Sequence, residues 1–369
     1  MAQKPALLIT GVSGNLGLRV LEFLPEFDVI GVDVVPPATP SKLAVFEKVD
    51  LAEERSCHQL LELLRKYRPE GVGHLALINA PVDRQRMWHI NVAGAGRVLE
   101  AVAEHNRMLG GVHKFVFRSS ALAYGPNLTK PVSEDAPLQA HTLPYALDAR
   151  EADLAVQARA RGLKCKTYIL RPPVLAGPNT QSYLVDILRG VPTGAGKLAE
   201  RLRRRNSRLP LVLPTRGNYL EHKFQFVHVD DLARLTANIF RRRQTDPQLN
   251  MMNAAGRGDP VTLETAARMA NCEIKRVVGR GSCRMILRMQ WNLGISHVPP
   301  EALPYVLGSC ATDTARLRVF LGDDYRKVIH YTCEEALAET LAEKQQSAIS
   351  TQHSASEDNL SPVEKAQRE

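Results

Sequence analysis

The chain has 369 residues, 44% hydrophobic and 24% charged, which is long enough for one large α/β domain or two fused lobes and excludes both a disordered chain and a stapled miniprotein. The net charge of +9 favours anionic partners such as phosphates and dinucleotides without selecting one. The absence of a long apolar run or a charged-then-apolar leader points to a cytoplasmic protein with no membrane contact, and six scattered cysteines without a CxxC pair argue against disulfides and against a metal site.

In chain order, short apolar runs alternate with amphipathic segments. Ala6 to Thr10, Val29 to Asp33, His74 to Ile78, Phe115 to Arg118 and Thr167 to Leu170 read as buried strands. Leu16 to Leu24, Glu53 to Tyr67, Trp88 to Asn106 and Tyr145 to Arg161 read as the helices between them. This alternation predicts βαβ crossovers and a doubly wound parallel α/β sheet. Past Gly177 the pattern fades into Gly- and Pro-rich stretches. Residues 1–176 are therefore expected to form the domain built on this sheet, with segments such as 224–240 returning to it. Residues 177–343 are expected mainly to form a smaller lobe on the substrate side, and 344–369 a disordered polar tail.

The strongest motif follows the first strand. Gly11, Gly14 and Gly17 in TGVSGNLG supply a tight turn, a close approach to a pyrophosphate and helix packing against the strand, and the helix then opens at Asn15 and Leu16. Asp33 ends the second strand 22 residues past Gly11. Its carboxylate can accept from the ribose hydroxyls and would repel a 2′-phosphate, so the expected cofactor is NAD rather than NADP.

With further elements in the same order, the sequence resembles an extended short-chain dehydrogenase/reductase of the NAD-dependent epimerase/dehydratase group, from about Ala6 to Ala233. The matching elements are TGVSGNLG, Asp50-Leu51 after the third strand, His74-Leu75-Ala76, Asn91-Val92, Ser119-Ser120 with Tyr124-Gly125, Tyr145, LRPPVLAGP and the run Phe226 to Asp231. The resemblance implies a Rossmann-like fold with Asp50 and Leu51 bordering the adenine, Leu75 and Ala76 passing under the cofactor, and Asn91 supporting the active-site helix, with Asn91 and Tyr145 both counted among the cofactor-binding residues. It implies that Ser120 polarises a substrate hydroxyl or carbonyl while Tyr145 moves the proton. It also makes His228, Asp230 and Asp231 structural, and suggests a homodimer joined through the helix carrying the tyrosine and its neighbour.

Three departures bear on function. The lysine that the family carries four residues after the tyrosine is Ala149, which removes a cation expected to lower the phenol pKa and to hold the nicotinamide ribose. Arg150 is adjacent, but one helix position is a rotation of about 100°, so its guanidinium has to curl back. Val174 and Phe224 replace an asparagine and an arginine that contact the diphosphate of nucleotide sugars, and neither side chain can do so.

Two readings follow. The first is an NAD-dependent oxidoreductase, epimerase or dehydratase acting on a small molecule, favoured because Ser120, Tyr145 and Asp33 are all retained. The alternative is an NAD-binding sensor or scaffold with impaired turnover. The basic segment Lys197 to Arg208 reads as a solvated face or as another source of cations for a substrate phosphate, and not as a nucleic-acid site, because no aromatic residue interleaves its arginines. Met285, Met289 and Trp291 lie at helical spacing and are expected to help pack an amphipathic helix on the lobe or on a partner.

Overall fold

The apolar runs of the first half form β1 (Ala6–Thr10), β2 (Asp28–Asp33), β3 (Val45–Lys48), β4 (Gly71–His74), β5 (Lys114–Arg118) and β6 (Lys166–Arg171). Helices α1 (Asn15–Glu22), α2 (Ser56–Tyr67), α3 (Arg84–Trp88), α4 (Ala95–Met108) and α5 (Pro144–Arg159) lie between them. This computed structural model describes residues 4–37, 39–79, 83–242 and 245–342; the tail expected from 344 onward lies outside them. A seventh strand, Leu249–Asn253, pairs with β6, and the parallel sheet runs from it through β6, β5, β4, β1 and β2 to β3. The order reverses between β1 and β4, which opens a crevice at the carboxyl ends of those strands.

Period-two alternation splits the strand residues between two cores. Leu7, Ile9 and Val116 face α1 and the helix Val229–Arg241, whereas Leu8, Phe115 and Phe117 face α2, α4 and α5. A third core, with Leu184, Leu213, Phe226 and Leu263, belongs to the C-terminal half, and a fourth gathers Leu77, Leu143, Tyr145, Ala149 and Val298 between the halves. Asp231 accepts the N–H groups of His330 and Tyr331, both at 3.0 Å, tying the helix Val229–Arg241 to the later chain. Among the described residues no helix is long and apolar enough to cross a membrane.

The structure differs from the sequence-based expectation at several elements. The strand expected at His74 to Ile78 lies at Gly71–His74, and Leu75 onward leaves the sheet. Its glycines carry no strand signal, yet a Cβ at Gly71 would stand 2.8 Å from Phe240, so close packing of the helix Val229–Arg241 selects glycine there. The single helix expected over Trp88 to Asn106 is interrupted by a π-helical turn, His89–Gly94. In the helix Gly279–Asn292, Cys283 is buried and Leu287 half-buried, while Met285, Met289 and Trp291 are exposed. Residues two apart on a helix point some 200° apart, so packing Cys283 and Leu287 turns the methionines outward.

His74 closes β4 with Nδ1 2.6 Å from Thr10 Oγ1 at the end of β1, and its ring stacks on Phe117. Complete burial lowers its pKa to about 4. In the unfolded chain the imidazole protonates near pH ~6.5, so its contribution to stability is complete above that pH. It is lost as pH falls from about 6.5 to about 4, by on the order of 3 kcal/mol. Urea midpoints should therefore fall over this window, and the fall should be shallower in His74→Asn.

Candidate active site

The crevice at the switch point is lined by Gly11, Gly14, Asn15, Leu16 and Gly17 on one side and by Asp33, Asp50, Leu51, Leu75 and Ala76 around it. Gly11 has φ +74°, and a Cβ there would stand 2.7 Å from Ala76 N; one at Gly17 would stand 2.3 Å from Gly11 O. A side chain at either position would collide with neighbouring backbone, so glycine lets the turn close and α1 pack directly against it, with the N–H groups at the start of α1 uncapped by any side chain. Asp33 at the tip of β2 accepts the N–H groups of Ser13 (3.0 Å) and Val34 (2.7 Å), which fixes the carboxylate at the rim. This backbone cradle with one anchored carboxylate fits the pyrophosphate and ribose of NAD.

A second pocket adjoins the first, and both are lined by Asn79, Arg118, Leu175 and Gln181. Ser120 and Tyr145 line this second pocket and not the cofactor crevice, together with Leu122, Leu143, Val174, Tyr183, Phe224 and Tyr305. The paired serines are divided by strand alternation. Ser119 Oγ donates to the buried Asp153 at 2.5 Å, whereas Ser120 Oγ only accepts the N–H of Leu122, leaving its O–H for the pocket. The tyrosines differ as well. Burial pushes the Tyr124 phenol up to about 12, and Tyr124 is committed to Asn253 and Arg171 at 2.8 Å each. Burial also raises Tyr183 and Tyr305. Tyr145 Oη instead lies 3.3 Å from the Arg118 guanidinium.

Asn91 does not line either pocket; it stands behind them. Its amide brackets residue 78, accepting the N–H of Ile78 at 2.8 Å and donating to the Ile78 carbonyl at 2.9 Å, and it donates to Asp148 of α5 at 3.2 Å. Asp148 is fully buried, and burial raises its pKa against the opposing pull of Arg84, whose Nη2 lies 2.6 Å away. The π-helical turn thus connects the chain that lines the cofactor crevice to the helix bearing Tyr145. Arg150 does not curl back: it donates to the Ala140 carbonyl at 2.6 Å. Two groups here escaped sequence reasoning. Arg118 is a charge ending a strand, with no spacing to mark it, and Arg171 carries no signal that Asp153 is its bidentate partner. Among the described residues no group of three His, Cys, Asp or Glu could hold a metal ion.

The model of the NAD dependent epimerase/dehydratase family matches residues 7–255. A UDP-glucose 4-epimerase from Corynebacterium glutamicum is 26% identical over 284 residues, covering 71% of this chain and 78% of that enzyme. One from Drosophila melanogaster is 31% identical over 163 residues, 38% of this chain, and that match spans only 44% of the fly enzyme. Among solved structures, dTDP-glucose 4,6-dehydratase from Bacillus anthracis, in complex with NAD, has a similar fold: TM-score 0.64 at 16% identity, covering 93% of this chain and 97% of the other.

The anchored carboxylate sets a testable preference. NAD+ should bind more tightly than NADP+, because a 2′-phosphate would face Asp33, and Asp33→Ala should narrow the gap by weakening NAD+ and relieving NADP+. Isothermal titration of both cofactors against both proteins measures the difference; equal affinities in the wild type would remove this role from Asp33.

Proposed function

Because the chain belongs to the NAD-dependent epimerase/dehydratase family, whose cofactor is NAD, we propose that it oxidises or reduces a hydroxyl or carbonyl carbon of a small molecule. The observation that carries this reading is the shared wall of the two pockets: Ser120 and Tyr145 stand in a cavity that adjoins the glycine cradle. Bound NAD supplies the acceptor or donor of the hydride. The residues of the chain do the rest. Ser120, with its O–H free toward the cavity, donates to the substrate oxygen and holds it. Tyr145 takes the proton from the hydroxyl when the carbon is oxidised and returns it when the carbonyl is reduced. Leu122, Leu143, Val174 and Phe224 surround the site with apolar surface and keep bulk water from the reacting carbon.

The same apolar wall bears on the substrate. The relatives above act on nucleotide sugars, but Val174 and Phe224 line this cavity and neither can donate to a diphosphate. That favours an alcohol or sugar-like molecule carried on a less charged body. The second reading, an NAD-binding sensor or scaffold, is favoured by Ala149, which is fully buried among apolar neighbours where the family carries its lysine.

Turnover separates the two. The purified protein should interconvert NAD+ and NADH with a member of a panel of hydroxy and keto compounds, and Tyr145→Phe should lower that rate by about 10²- to 10⁴-fold while leaving NAD+ affinity within about twofold. Activity that survives in Tyr145→Phe removes the proton-transfer role, and tight NAD+ binding with no turnover of any compound selects the sensor.

A further inference from the structure

Ala149 leaves the phenol without a cation on its own helix, yet a cation touches it from another element. Arg118 is the last residue of β5. Its Nη1 donates to the Leu77 carbonyl at 2.7 Å, its Nη2 lies 3.3 Å from Tyr145 Oη, and its Nε is buried with no hydrogen-bond partner. The same side chain lines both the cofactor crevice and the cavity holding Ser120. We propose that Arg118 is the positioning cation of this site, delivered from the end of a strand in place of the missing helix lysine, and that it serves both the Tyr145 phenol and the nicotinamide ribose side of the crevice. This inference rests on the role given to Tyr145 above.

Three physical points support the assignment. A positive charge at hydrogen-bonding distance stabilises a phenolate and thus eases loss of its proton. A guanidinium remains charged throughout the accessible pH range, so it performs this task without titrating itself, which an ammonium does not. The Leu77 carbonyl fixes one edge of the planar group, leaving the other edge on the phenol and Nε without a partner inside the protein. An unpartnered buried N–H costs free energy unless something accepts from it, which is the state expected of a donor waiting for a ligand oxygen.

The test uses wild type, Arg118→Gln and Arg118→Lys, with thermal melting to establish that each is folded. Near-ultraviolet tyrosinate absorbance is followed against pH with NAD+ bound, and the part of the signal absent in Tyr145→Phe belongs to this phenol. In Arg118→Gln that part should rise later in the pH series than in the wild type, and NAD+ affinity by titration should fall several-fold. Arg118→Lys, which keeps a charge, should lie closer to wild type on both readouts. If Arg118→Gln does not fold, Arg118→Met, which keeps an unbranched stem but no charge, takes its place on the same two readouts: a later absorbance rise with weakened NAD+ supports the assignment, and wild-type values for both overturn it. An unchanged profile and affinity in folded Arg118→Gln overturn it likewise, even where the wild type turns over a substrate. A shifted profile with weakened NAD+ in a protein that turns over no compound keeps the assignment and overturns the enzymatic reading instead.

Discussion

A guanidinium sealed from water must be met by a carboxylate, and in this protein one such pair determines what surrounds it. Arg171, at the end of β6, is 1% exposed, and its Nε and Nη2 each lie 2.8 Å from a carboxylate oxygen of Asp153 on α5. Its Nη1 donates to Tyr124 and to the Glu134 carbonyl, Tyr124 donates to Asn253, and Asn253 takes its own N–H to Glu134. The network joins β6, α5, the turn after β5 and the edge strand Leu249–Asn253 in one buried assembly. Breaking such a pair by removing one partner costs about 3 to 5 kcal/mol, because the other charge is left stranded.

The consequence for the site is directional. Asp153 also accepts from Ser119, so the first of two adjacent serines is consumed by structure and the second, on the opposite side of the chain, is left to the cavity. Tyr145 lies eight residues before Asp153 on the same helix, a little over two turns, so the residue that anchors α5 also orients the face that presents the phenol. Catalytic groups held on elements locked in this way keep their geometry better than groups on loops.

Much of this was legible in the sequence because the signals were local. Glycines at three spaced positions, an acid at a strand end and alternating hydrophobic runs each follow from the chain's own period, and together they describe the parallel sheet and the cradle above it. What escaped depended on contacts across the fold. The edge strand Leu249–Asn253, two methionines and two asparagines around a leucine, has no strand composition and forms because β6 offers it a free edge. Sequence reasoning places the strand Gly71–His74 too far downstream because its glycines answer to Phe240, 167 or more residues away in the chain. Arg118 was invisible as a partner of Tyr145 because 27 residues separate them and no periodicity connects a strand end to a helix start.

The position of that arginine shows how charge and scaffold can be exchanged separately. A lysine on α5 approaches the phenol along a flexible four-carbon stem from one turn away, while Arg118 approaches as a rigid plane from the mouth of the sheet. The small residue left at Ala149 then completes an apolar cluster with Leu143, Val298 and Tyr305, so the helix gains packing where it gives up a cation.

The π-helical turn at His89–Gly94 imposes a demand of a different kind. Such a turn accommodates one residue more than an α-helical turn of the same rise. The surplus residue is what α-helical geometry cannot hold: without it the segment closes as an ordinary helix, and α4 keeps Val98, Leu99 and Val102 on the core they share with Phe115 and Phe117. What such a deletion removes is the widened turn that carries Asn91 to residue 78. The turn therefore serves the placement of one side chain and not the phase of the helix after it, so shortening it by a residue should cost the site more than the fold.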